Sequence, residues 1–233
     1  MPLRPGSTLM AAAIVAVSAA AIAQESVEVQ PTRPVDDAVV QARPLFHLAY
    51  TGLDDDRLRK ARFRITLDSQ TDDGVSFSFD QRKKRNGWAA GEAGEMIYRP
   101  KRPLPDGRYR WEVAFWDGTN WQTGDRRFRL RIDSVPPAPV ENLTVSRDPG
   151  RGVVELAWDP VALDVEGRAE YVARYHVYRY PRADRTPTVE PFEVAETDQT
   201  SVTIAADTDE DAKLWFYRVS AEDLAGNEAG RPE

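Results

Sequence analysis

Cysteine is absent from this 233-residue chain, histidine occurs only twice, and no stretch after residue 23 shows helical periodicity beyond about two turns. Without cysteine the chain has no disulfide, no thiolate metal ligand and no cysteine nucleophile. His47 and His176 lie far apart, each within a strand-like pattern. Because a catalytic triad or a transition-metal site needs convergent partners, the sequence predicts no metal, no cofactor and no catalytic residue.

Calcium is the other cation that we considered. Asp207, Asp209 and Asp211 have the alternate spacing of a calcium loop, but Ala212 and Arg218 stand where such a loop needs glycine and a bidentate acid. We therefore predict a solvated acidic turn at this position. The chain also lacks the serine elbow, the paired-histidine helix motif and the phosphate-binding glycine loop of common enzyme classes.

The N-terminal segment indicates export. Arg4 precedes an apolar run over residues 9–23, which ends in the small residues Ala21 and Ala23. This layout is typical of a secretory signal peptide, and the run is shorter than the about 20 residues that a membrane span needs. We predict a signal peptide at residues 1–23 and a mature chain, without a membrane span, in the periplasm, at the cell surface or outside the cell. An uncleaved anchor is the alternative. The alanine-rich leader favours a bacterial source.

Alternating apolar and polar residues predict an all-β fold for the rest of the chain. The segments "ARFRITLD" (61–68), "GRYRWEVAF" (107–115) and "RRFRLRID" (126–133) turn apolar side chains to one face and mostly arginines to the other. Asp-Gly and Asn-Gly pairs separate such segments and mark tight turns. Six further strand-like segments follow between residues 143 and 223.

The second half resembles a fibronectin type III domain over residues 138–230. The matching features are Trp158 late in the second strand, Tyr175 and Val177 in the third, and "YRVSAEDLAGNEAG" at 217–230. Trp215 departs from this pattern, because it occupies the tyrosine-corner position. Residues 34–133 resemble a more distant Ig-like or fibronectin-III-like sandwich of the kind found in tandem on bacterial surface proteins. The resemblance implies two β-sandwiches and does not imply a ligand.

These patterns divide the chain into segments with distinct expectations. We predict an extended N-terminal arm at residues 24–33, a first sandwich at 34–133, a short proline-rich linker at 134–139 and a fibronectin type III domain at 140–233. The last strand of that domain is predicted to be truncated, since only "NEAGRPE" follows Gly226. An incomplete last strand leaves an edge that invites another strand.

Charge and aromatic residues supply candidate binding surfaces. Residues 34–133 hold 19 Lys/Arg against 16 Asp/Glu, a net of +3, whereas residues 134–233 hold 10 against 20, a net of −10. The alternation predicts one arginine-rich solvent face on the first sandwich, suited to an anionic partner or serving only as a solubilising surface. Its members are Arg62, Arg64, Arg108, Arg110, Arg127, Arg129 and Arg131.

Six other positions complete the candidate set. Trp116 and Trp121 flank a hairpin, where they either contact a ligand or fold back over the open end of the core; the second expectation is favoured. Tyr178 and Phe216 are expected to face outward on neighbouring strands of the second domain, as a partner contact or a simple cross-strand pair. Val27 and Val29 alternate within the arm as inward residues of a strand would.

The sequence thus predicts an exported, non-catalytic binding or structural protein. We expect contacts with other surface or extracellular proteins, or with copies of itself, in adhesion or assembly. One alternative is a carbohydrate-binding accessory module for an anionic polysaccharide. Another is a filament subunit whose arm, through Val27 and Val29, adds a strand to the next molecule. Nucleic acid is not an expected partner, because the chain is acidic overall.

Overall fold

The computed structural model describes residues 27–71, 74–81, 87–181, 192–206 and 215–230, so the predicted signal peptide at 1–23 and the acidic run at 207–211 lie outside the described residues. The first half contains β1 (Glu28–Arg33), β2 (Ala38–Val40), β3 (Phe46–Thr51), α1 (Asp55–Lys60), β4 (Arg62–Ser69), β5 (Ser76–Asp80), β6 (Trp88–Ala90), β7 (Glu95–Tyr98), β8 (Gly107–Trp116) and β9 (Trp121–Ile132). The second half contains β10 (Thr144–Asp148), β11 (Val153–Ala157), β12 (Val172–Pro181), β13 (Phe192–Thr197), β14 (Ser201–Ala205), β15 (Trp215–Asp223) and β16 (Glu228–Ala229). The predicted all-β fold is confirmed.

Two sheets enclose the core of the first half. A four-stranded sheet in the order β1-β3-β7-β6 packs on a five-stranded sheet in the order β2-β9-β8-β4-β5. Phe63, Ile65 and Leu67 are fully buried, as their alternation on β4 predicted. Trp111 on β8 meets Phe46 of the opposite sheet with the ring centroids 5.0 Å apart. Helix α1 is a single short element that begins after Asp54, whose carboxylate accepts the backbone N–H of Arg57.

A second pair of sheets forms a separate core. The order β10-β11-β14 packs on the order β13-β12-β15-β16 around Val154, Leu156, Trp158, Tyr175 and Val177. Trp158 and Tyr175, the residues that carry the fibronectin resemblance, pack edge to face at 5.4 Å. Strand β16 has only two residues, paired with the end of β15.

The N-terminal segment is part of the first sandwich, so the prediction of a separate arm is wrong for residues 28–33. Strand β1 pairs antiparallel with β3, with Val29 opposite Tyr50. Val29 is 3% exposed and Val27 packs partly against the same core. The expected inward alternation was correct, but the partner strand is in the same molecule. Strand donation to a neighbouring molecule through these residues is therefore not supported, because the edge that they would offer is already paired with β3.

The proline-rich segment between the two cores is hydrogen-bonded to the second half. Ala138 donates its N–H to the carbonyl oxygen of Leu163, and Val165 donates to that of Pro136. The two halves also contact each other directly, since the side-chain amide of Asn227 in the second half donates to the carbonyl oxygen of Asp133 at the end of the first half at 3.0 Å. Residues 136–138 of the linker are thus held against the second half rather than forming a free hinge.

Among the residues described, no helix has the length and apolar character that crossing a membrane requires.

Candidate functional site

The pairing of β4, β8 and β9 places the seven predicted arginines on the outer face of one sheet. Arg108 lies opposite Arg131, and Arg110 lies between Asp68 and Arg129. Buried apolar residues alternate with these arginines along each strand, so all seven side chains project away from the core. We call this surface the arginine face. That it binds a ligand stays a prediction.

Acidic groups neutralise much of the arginine face. Arg64 pairs with Asp80 at 2.5 Å and Arg127 with Glu112 at 2.6 Å. Arg131 pairs with Asp133. Three of the seven, Arg62, Arg108 and Arg110, have no acidic partner within 4 Å among the described residues, and all three are exposed. The face is therefore less basic than its arginine content suggested.

Arg129 illustrates the neutralisation. Its backbone N–H donates to the Asp36 carboxylate at 2.7 Å, and its guanidinium contacts Asp36 at 3.3 Å and Asp37 at 2.5 Å. The backbone N–H of Arg129, followed by its guanidinium, lowers the pKa of Asp36 below its ordinary value. The aspartates just before β2 thus occupy the donors that a bound anion would need.

The two tryptophans lie on this same outer face, at its hairpin end. Trp116 and Trp121 are cross-strand partners with ring centroids 5.7 Å apart, and Arg62 is the next residue across the sheet. The Arg64 guanidinium lies 3.7 Å from the centroid of the Trp121 ring, within cation–π distance. The favoured expectation that these rings cover the open end of the core is wrong, because their strand positions turn them to the solvent side. We call Arg62, Arg64, Trp116 and Trp121 the tryptophan–arginine patch.

Of the two residues predicted as a partner contact in the second half, Phe216 is exposed but Tyr178 is not. Phe216 is 47% exposed and stacks on Tyr180 at 5.8 Å. Tyr178 instead lies opposite Arg218 and is only 3% exposed. Its hydroxyl donates to the Glu228 carboxylate at 2.7 Å. Tyr178 lies on the outer side of the sheet, as predicted, but it is covered there and cannot meet a partner directly.

Sequence reasoning missed a cluster of ionisable groups around His176 on the outer side of the same sheet. Its Nδ1 lies 3.1 Å from the Glu193 carboxylate and its Nε2 lies 2.9 Å from that of Glu222. Burial lowers the pKa of His176, but the hydrogen bonds with Glu193 and Glu222 outweigh burial, and the net shift is upward. Alternation placed His176 on the outer face, but only the strand pairing reveals which carboxylates surround it.

The sheets and cores define an all-β protein with an immunoglobulin- or fibronectin-type-III-like fold. Among solved structures the chain is similar to the FN1-FN3 domains of chicken CNTN1, with a TM-score of 0.52 and 10% sequence identity over 85% of this chain. The chain spans 61% of the length of that structure. At this identity the likeness shows the fold alone. No protein-family model and no curated protein matches the sequence.

Proposed function

We propose that this chain is an exported, non-catalytic protein of two β-sandwich domains that binds other surface or extracellular proteins through the tryptophan–arginine patch. Its fold is one that typically supports protein–protein contacts rather than catalysis, and the leader at residues 1–23 supports export.

The observation that carries the proposal is the stacking of Arg64 on Trp121 beside Trp116, on the outer side of the sheet. Tryptophan and arginine are the residues most enriched in binding hot spots, and a hot spot needs anchors whose conformation is set before binding. Asp80 holds Arg64 at 2.5 Å, and Arg64 in turn lies over Trp121, so three residues constrain one another. A sheet surface with neighbouring tryptophan and arginine side chains suits a protein partner.

The test is differential capture with the immobilised chain. The probe is the secreted and cell-surface protein fraction of the source organism, offered to wild type, to the double variant Trp116→Ser/Trp121→Ser and to the control Phe216→Ser. We expect a protein that wild type and control retain and the double variant loses. Equal capture by all three proteins, each shown to be folded by circular dichroism, would contradict the assignment of the patch.

A second candidate function is binding of an anionic polysaccharide along the arginine face. Arg62, Arg108 and Arg110 favour it, because each is exposed and none has an acidic partner among the described residues. Free guanidinium groups suit carboxylates and sulfates.

Retention on a polygalacturonate column tests this candidate. Changing Arg62, Arg108 and Arg110 to serine is expected to abolish retention. The matched control Arg129→Ser should leave retention unchanged, because Asp36 and Asp37 already occupy that guanidinium. Loss of retention in the control alone, or no retention of wild type, would contradict this candidate.

A further inference from the structure

Three glutamates from three strands converge on His176. Strand β12 carries the histidine, β13 carries Glu193, β15 carries Glu222 and β16 carries Glu228. His176 is 8% exposed, so its ring is held inside the cluster rather than in bulk water. Donor atoms of His176, Glu222 and Glu228 all lie within 4.8 Å of one another. The group therefore offers one imidazole nitrogen and two carboxylate oxygens around one point.

The surroundings of these donors resemble those of metal ligands. A metal-bound histidine usually donates its second ring N–H to a carboxylate, which fixes the tautomer and the ring orientation. Glu193 lies 3.1 Å from Nδ1 and can accept that proton, which leaves Nε2 facing Glu222. Two hydroxyls hold Glu228, since Tyr178 donates to its Oε1 at 2.7 Å and Ser220 at 2.5 Å.

The second oxygen of Glu222 is also oriented. Arg174 approaches Glu222 Oε1 at 3.4 Å, while Oε2 lies 2.9 Å from His176 Nε2. In a tetrahedral zinc site, with bonds of about 2.0–2.2 Å, neighbouring ligand atoms are about 3.3 Å apart. The His176–Glu222 separation is a few tenths of an ångström shorter, so a small opening of this pair would match zinc geometry, and the Glu228 oxygen lies within 4.8 Å of both donors.

We propose that His176 Nε2, Glu222 and Glu228 form a site for a divalent transition-metal ion, with zinc as the best-fitting ion. Imidazole together with carboxylate ligands suits zinc, and three protein ligands leave one coordination position for water or for a residue of a partner. Glu193, Tyr178 and Ser220 act as positioning residues for the ligands. The alternative group on the other side of the ring, Glu193 with Glu196, is less suitable because both glutamates are exposed and Arg174 pairs with Glu196 at 2.6 Å.

Zinc and a proton compete for the same nitrogen. With carboxylates at both ring nitrogens, the ion-free ring is stabilised as an imidazolium. Glu193 and Glu196 on β13, Arg174 and Tyr178 on β12, Arg218 and Glu222 on β15 and Glu228 on β16 are the charged or titratable groups that face or flank the ring. Since the carboxylates outnumber the cations there, a dication would reduce a local excess of negative charge.

Titration calorimetry of the purified chain with zinc chloride tests the proposal. We expect one zinc per chain, with about one proton released per ion at pH values where the ring is charged. His176→Gln and Glu222→Gln are each expected to weaken binding by about 100-fold or more. Tyr178→Phe, which removes a positioning hydroxyl, is expected to weaken it by about 10–100-fold.

Two matched controls locate the site. His47→Gln removes the other histidine of the chain, and Glu196→Gln removes a glutamate on the opposite side of the ring. Both should bind zinc within about twofold of wild type. Because His176 is buried, Glu222→Gln is the decisive variant, and its fold is checked by circular dichroism. No zinc uptake by wild type, unchanged affinity in Glu222→Gln, or equal loss in Glu196→Gln would overturn the proposal.

Discussion

Adding one methyl group at Gly124 on β9 should loosen the N-terminal strand. A Cβ atom built on Gly124 would lie 2.2 Å from the carbonyl oxygen of Val29 on β1. Ordinary carbon–oxygen contacts are about 3.3 Å or longer, so Gly124→Ala must move one backbone segment by about 1 Å. Neither side of the contact is the end of a flexible side chain.

Two estimates bound the effect. Overpacking of this kind typically costs about 1–3 kcal/mol. If β1 detaches instead, the chain loses the burial of Val29, which is 3% exposed and worth about 1.5–3 kcal/mol when fully buried. Both routes predict a loss of about 2 kcal/mol in the free energy of unfolding of the first core.

The assay combines urea denaturation with hydrogen exchange. Tryptophan fluorescence reports unfolding, exchange of peptides covering β8 assigns it to the first core, and exchange of peptides covering residues 27–33 reports detachment of β1. The control is Gly150→Ala, because a Cβ at Gly150 meets nothing closer than 3.4 Å. The control should stay within about 0.5 kcal/mol of wild type.

The reasoning would be refuted by a Gly124→Ala variant as stable as the control, with β1 equally protected from exchange. Such a result would mean that β1 is not packed against β9. Donation of β1 to a neighbouring molecule would then have to be tested again, by looking for concentration-dependent assembly on a sizing column.

Three further predictions concern the two cores, His176 and the junction between the halves. Leu48→Ala and Leu156→Ala each remove a fully buried side chain and should lower the free energy of unfolding by about 2–5 kcal/mol. If the two cores unfold independently, calorimetry will show each variant shifting a different thermal transition. A shift of the same transition in both variants would contradict independence. The pKa of His176 is raised, so the stability that the charged ring contributes to the fold is complete below its ordinary pKa of about 6.5 and is lost as the pH rises through the raised pKa. The difference in free energy of unfolding between wild type and His176→Gln, measured by urea denaturation in metal-free buffer, should therefore shrink from pH 6 to pH 9. A constant difference would argue against an imidazolium. Asn227→Ala removes the amide that donates to the Asp133 carbonyl. Small-angle scattering of this variant should show a wider range of arrangements of the two halves, whereas an unchanged profile would show that other contacts hold the junction.

Much of the first sheet could be predicted because strand alternation is a local property. Side chains along a strand alternate between faces whatever the partner strand is, so the buried set at Phe63, Ile65 and Leu67 and the opposing arginines followed directly from the order of residues. The same logic correctly made Val29 an inward residue. Alternation could not predict which strand would pair with β1, because strand pairing within one molecule and strand pairing between molecules require the same alternating sequence.

The candidate sites depended on contacts that no local pattern contains. Asp36 and Arg129 are 93 residues apart, and their ion pair exists only because β2 lies beside β9. Tyr178 looked exposed because it alternates with buried residues, but Glu228, 50 residues further on, meets its hydroxyl. The cluster around His176 likewise draws its members from four strands.

The order of residues alone was enough to predict strands β4, β8 and β9, the composition of their two faces and the absence of cysteine chemistry, since each depends on neighbours within a few positions. Only the tertiary structure decided that β1 belongs to its own sandwich, that Arg129 is already neutralised and that His176 sits among glutamates. Those outcomes depend on which strands lie side by side, and the free energy that selects neighbouring strands comes from burial and pairing summed over the whole fold.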